Sequence, residues 1–181
     1  MGNPETMNTD AEPTMDDIWQ QGVDADKVNE TAKSMLLVRG PYVTSPPMTV
    51  NGQHFEAGNG KPARTIFRAY GMVTWAGSEE PMHKDENGEP TTTADKIGRI
   101  SFSFSPDEVV KVSEKDGKSR LDLATKLYVQ LVKAYARVYG EMPATAADLK
   151  TYLEAYPVKL PIGPIGDDDV KNMVFGIAPV I

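Results

Sequence analysis

A chain of 181 residues with 40% hydrophobic and 25% charged side chains has material for one buried core and too little for two. The absence of cysteine excludes disulfides, thiolate metal sites and thiol nucleophiles together. A net charge of -7 opposes indiscriminate attraction to nucleic acid or anionic membrane, and with no run of about 18 apolar residues and no basic-then-apolar opening, no membrane partner and a cytoplasmic location are expected.

The charge is uneven. Residues 1–33 hold eight acids and two bases, a net -6, and are poor in apolar groups, so they are expected to form a disordered acidic tail to a single domain at 34–181. Inside the tail, Thr14 followed by Asp17 is a capping-box pattern. Ile18, Trp19 and Val23 would then form a sticky stripe, either packed on the body or left as a docking motif. Residues 96–140 are the opposite, with nine bases against five acids, a net +4.

From Ser34 the pattern turns to strands. SMLLVRGPYVT reads as a strand broken at Arg39-Gly40-Pro41, and MTVNGQHFEA as two extended runs about an Asn51-Gly52 hairpin turn. ARTIFRAYGMVTWAG, residues 63–77, is a long strand with Phe67, Ala69, Val73 and Trp75 on one face and Arg64, Arg68 and Tyr70 on the other. Residues 78–95 describe an exposed loop or a hairpin tip. In KIGRISFSFS the strand pattern resumes, with Ile100, Phe102 and Phe104 opposed to Arg99, Ser101 and Ser103.

Ser105-Pro106-Asp107-Glu108 is a helix-start signal, against which the β-branched VVKV pulls toward a strand. Residues 120–139 form the strongest helix, stopped by Gly140, with Asp122, Lys126, Gln130, Lys133 and Arg137 as a narrow polar stripe on an otherwise apolar rod. Two elements must cover such a rod, or one element and a partner chain. Thr145 and Asp148 cap a second helix with Leu149, Leu153 and Tyr156 on one face. PVKLPIGPIG is too rich in Pro and Gly for regular structure, and VKNMVFGIAPVI closes the chain as a strand.

Catalytic and metal chemistry find little footing. His54 and His83 lack ligand spacing with each other or with the carboxylates, GNGKPAR lacks the Gly-Lys-Ser/Thr of a phosphate loop and reads as an exposed turn, and Asp85, Asn87 and Gly88 lack the closing Glu of a calcium loop. Asp167 to Asp169 reads as a solvated turn. No enzyme, no metal and no cofactor are expected.

What stands out is the mixed face. Arg64, Arg68 and Tyr70 on one strand, with Arg99, Ser101 and Ser103 on the next, combine cations for phosphates, a ring for base stacking and hydroxyl donors, the needs of a single-stranded nucleic acid. The bland alternative is a solvated strand face in which Tyr70 fills a cross-strand gap.

The order of GPYV, TIFRAYGMVTWAG and GRISFSFSP strands, then LATKLYVQLVKAYARVYG, then VKNMVFGIAPVI, resembles phage-encoded single-stranded DNA-binding proteins of the OB-fold type. The resemblance spans residues 36–181 and rests on element order. It implies an α+β fold: a small antiparallel OB-type barrel with two or three helices, residues 106–156, inserted before the last strand. It also implies a non-catalytic single-stranded DNA-binding protein of phage-type replication or recombination, acting in the host cytoplasm beside replication or recombination proteins, with Arg64, Arg68, Tyr70 and Arg99 lining the groove. The acidic tip that recruits partners in such proteins is C-terminal, whereas here the acidic segment is N-terminal. The competing expectation is a virion-assembly or other protein-protein interaction module that forms a homo-oligomer.

Overall fold

The computed structural model describes residues 12–33, 35, 42–45, 47–74, 82–84, 87, 90–92, 97–165 and 168–180. They form an α+β fold in which every strand pair is antiparallel. In chain order the elements are α1 (Met15–Trp19), α2 (Ala25–Lys33), β1 (Tyr42–Ser45), β2 (Thr49–Phe55), β3 (Arg64–Thr74), β4 (Met82–Lys84), β5 (Pro90–Thr92) and β6 (Ile97–Phe104). There follow β7 (Val110–Val112), β8 (Ser119–Leu121), α3 (Leu123–Tyr139), α4 (Ala146–Ala155), β9 (Val158–Ile165), β10 (Asp168–Val174) and β11 (Ala178–Pro179). One sheet has the order β2-β3-β6, a second runs β1-β9-β10 with β11 also on β9, and β4-β5 and β7-β8 are separate hairpins. Among the described residues the strands do not close into a barrel.

The core lies on one face of β2-β3-β6. Alternation along β3 buries Thr65, Phe67 and Ala69, while Arg68 is exposed and Ile66 and Tyr70 are half-buried. Phe67 stacks on Phe104 with ring centroids 5.3 Å apart, and Phe102 joins them. Onto this face pack Leu127 and Leu131 of α3 and Leu149 and Leu153 of α4, with Val158 and Leu160 of β9. Helix α3 meets neighbours on nearly all sides. Even its polar stripe is engaged: Gln130 accepts from the Ile177 N–H at 2.8 Å, and Lys133 donates to Asn29. At the far end Tyr135 stacks on Tyr139 at 4.3 Å, and both meet Tyr152 edge-on, which locks α3 to α4.

Four sequence expectations change. Residues 12–33 do not stand off as a tail. Thr14 and Asp17 make the full capping box, Ile18 and Val28 are core residues, and Trp19 lies 4.9 Å from Phe67. Backbone bonds from Val23 N–H to Ala144 and from Ala146 N–H to Gln21 stitch the segment to the start of α4. Its few apolar groups suffice because the body, rather than the segment itself, supplies the surface that buries them. Residues 1–11 lie outside the described residues.

Asn51-Gly52 is not a turn but the middle of β2. A Cβ at position 52 would stand 3.0 Å from the Phe67 ring and 3.1 Å from Ile18, so glycine there allows close packing rather than reversal. The turn comes later, where Asn59 and Gly60 both take positive φ between the paired Gly58 and Lys61. Residues 106–121 hold the β7-β8 hairpin instead of a helix, as the β-branched VVKV favours. VKLPIGPI is the strand β9, because proline loses only its N–H, and the Pro161 carbonyl still accepts from Phe175 at 2.9 Å. The two inserted helices therefore precede three strands, not one.

Two outcomes follow from this packing. Leu127→Ala or Leu131→Ala removes fully buried methylenes and should each cost about 2–5 kcal/mol in urea unfolding, where a surface change costs under about 0.5. Removing residues 1–33 exposes Phe67 and α3, so the truncated chain should melt well below the full chain in a thermal scan.

Candidate functional site

The outer face of β2-β3-β6 is the surface the sequence singles out. Register sets Arg68 between Asn51 on β2 and Ser103 on β6, and sets Tyr70 between Thr49 and Ser101. Strands lie about 4.8 Å apart and alternate residues about 6.8 Å apart, so these two rows make a compact patch. Arg99 occupies the next step, opposite Met72. Thr49, Asn51, Gln53 and Arg68 are exposed, while Ser101 and Ser103 are half-buried. Asn51 donates to the Tyr70 hydroxyl at 3.4 Å, which orients the ring. Among the described residues no carboxylate forms an ion pair with Arg68. Trp75 lies outside the described residues.

Arg64 keeps different company. Its side chain is only 16% exposed, and its Nη1 and Nη2 donate to the two oxygens of Asp122 at 2.7 and 2.9 Å, while Nε donates to Ser105. Asp122 is also the N-cap of α3, accepting from Thr125 N–H and hydroxyl. Ser105 donates to the Thr65 carbonyl, and Asp107 accepts from the Thr65 N–H. This knot binds the start of β3, the end of β6 and the start of α3. Burial pushes the Asp122 carboxyl up, but hydrogen bonds from Arg64 and Thr125 and the Arg64 charge outweigh it, leaving the group below the ordinary carboxylate value.

So the structure brings Arg68, Tyr70, Ser101 and Ser103 together, puts Arg99 in register with them, and turns the Arg64 guanidinium to Asp122. Sequence reasoning passed over Thr49, Asn51 and Gln53, which parity with Arg68 and Tyr70 would have found had Asn51-Gly52 not looked like a turn. It also counted Asp122 in the polar stripe, although Asp before an apolar helix is a cap signal. His54 shares a hydrogen bond with Thr65 at 3.0 Å, a structural role. Among the described residues no cluster of His, Asp or Glu could hold a metal ion, and no helix is long and apolar enough to cross a membrane. No protein-family model, curated protein or solved structure matches the chain.

The knot sets a pH dependence. Because the folded value of Asp122 lies below the unfolded value of about 3.9, its stabilisation is complete above that pH and fades as pH falls through the folded value. Asp122→Asn keeps a cap but strands Arg64, and should cost about 3 kcal/mol at pH 7, the low end for a broken buried pair because Arg64 retains some solvent. In unfolding series at falling pH, the gap between wild type and variant should narrow below about pH 4.

Proposed function

We propose that the outer face of β2-β3-β6 binds single-stranded nucleic acid, and that the chain is a non-catalytic single-stranded DNA-binding protein of phage-type replication or recombination. The observation that carries this is the pairing of an exposed Arg68, without an ion pair among the described residues, with Tyr70 on the central strand, flanked in register by Asn51, Thr49, Ser103 and Ser101. A guanidinium meets phosphate, a ring offers a stacking face, and amide and hydroxyl groups offer sequence-tolerant hydrogen bonds. Arg99 extends the row, and Arg64 serves by fixing the end of β3. In this reading β2-β3-β6 and β1-β9-β10 are the two sides of an OB-type barrel. The platform itself requires only the open sheet face.

Assembly through protein contacts draws on one specific feature, the exposed Val138, Tyr139 and Tyr156 at the ends of α3 and α4. Gel shifts with labelled oligo-dT across a salt series separate the two. Arg68→Ala should weaken binding and lower the slope of log K against log salt by about 0.7, the single-strand value for one phosphate. Tyr70→Ala should cost about 1–3 kcal/mol of binding with the slope unchanged, because stacking releases no counterions. A wild-type chain that ignores oligo-dT at low salt and elutes as a discrete oligomer would overturn the proposal in favour of assembly.

A further inference from the structure

The β7-β8 hairpin has little cover from the body. From Val110 to Arg120 every side chain but Ser113 is exposed, with Val110 at 52% and Val112 at 66%. A two-stranded hairpin alone is marginal in water. This one also sets Lys111 directly opposite Arg120, a like-charge pair that opposes strand pairing. Asp116 at the tip pairs with Arg120, while Lys111, Lys115 and Lys118 have no ion pair among the described residues. Four bases against Glu114 and Asp116 give the ribbon a net +2 in a chain of -7. Repulsion of this kind is relieved when a polyanion lies along the ribbon.

The base of the ribbon is tied down on both legs. Asp122 N–H donates to the Val109 carbonyl at 2.8 Å, and Val109 N–H donates to the Thr125 hydroxyl, so the Arg64–Asp122 knot holds both legs. Its first leg leaves β6 through Ser105, one alternate position beyond Ser103 in the Arg68 row. The ribbon therefore springs from the end of the sheet face proposed to bind nucleic acid.

We infer that the β7-β8 ribbon is a phosphate-gripping arm, in which Lys111, Lys118 and Arg120 hold the backbone of single-stranded nucleic acid running off the Arg68 and Tyr70 platform. The inference rests on the platform reading.

The test is a length series of oligo-dT titrated at several salt concentrations against wild type, Tyr70→Ala and the triple variant K111Q/K118Q/R120Q. In wild type, affinity and salt slope should rise with length past the oligomer that fills the platform. The triple variant should lose that rise, with its slope on long oligomers lower by about 2, three phosphates at about 0.7 each. It should bind the shortest retained oligomer as wild type does, and its melting temperature should be unchanged, since all three positions are exposed. A triple variant with the wild-type slope at every length, beside a Tyr70→Ala chain that loses binding, would overturn the arm and leave the platform standing. Failure of wild type to bind any oligomer would overturn both.

Discussion

Arg64 and Asp122 meet where neither can be well solvated. A guanidinium or a carboxylate taken from water alone costs several kcal/mol, so each of these groups requires the other to be in place. Asp122 is at the same time the cap of α3, and Ser105 is at the same time a donor to the Thr65 carbonyl. The position of the long helix, the pairing of β3 with β6 and the exit of the β7-β8 ribbon thus depend on one bidentate contact. Replacing either partner disturbs all three at once.

An acidic chain can still leave an exposed arginine on one face of its sheet. The sheet has two sides, and helices cover one of them. Residues 12–33, with six acids and two bases, lie on the helical side, where Ile18 reaches Phe67 and Gly52, and α2 rests on α3. Arg68 points the other way. The net charge of -7 is therefore a sum over segregated parts, and the field near the outer face is set by what stands there rather than by the total.

Much of this was legible in the sequence. The two faces of β3 and β6, the end of α3 at Gly140 and the cap of α4 all follow from periodicity and local hydrogen bonding, which the chain carries in short stretches, whereas the first three residues of the expected 120–139 helix belong to β8 and the Asp122 cap. What was illegible depended on distant residues. Gly52 reads as a turn until Phe67 is known to lie against it. The acidic segment reads as a tail until the body offers Ile18 and Val28 a place to be buried. Arg64 reads as a ligand-facing cation because its partner is 58 residues away, and nothing local distinguishes it from Arg68. Asp107 and Ser105 read as a helix start because the same side chains that cap helices also hold a strand end through Thr65.

The distance between those partners has a consequence during synthesis. The inner face of β3, with Phe67 and Ala69, is finished long before the α3 and α4 part of its cover exists, since the knot joins residues 58 apart and both helices lie beyond it in the chain. At about 5–20 residues per second, a ribosome leaves that apolar strand without its helix for several seconds. Loops of this length also close slowly compared with the local contacts of a helical bundle. A nascent chain paused in this interval carries a partly uncovered hydrophobic strand face, so its yield in a cell should be more sensitive to holdase chaperones than its final stability suggests.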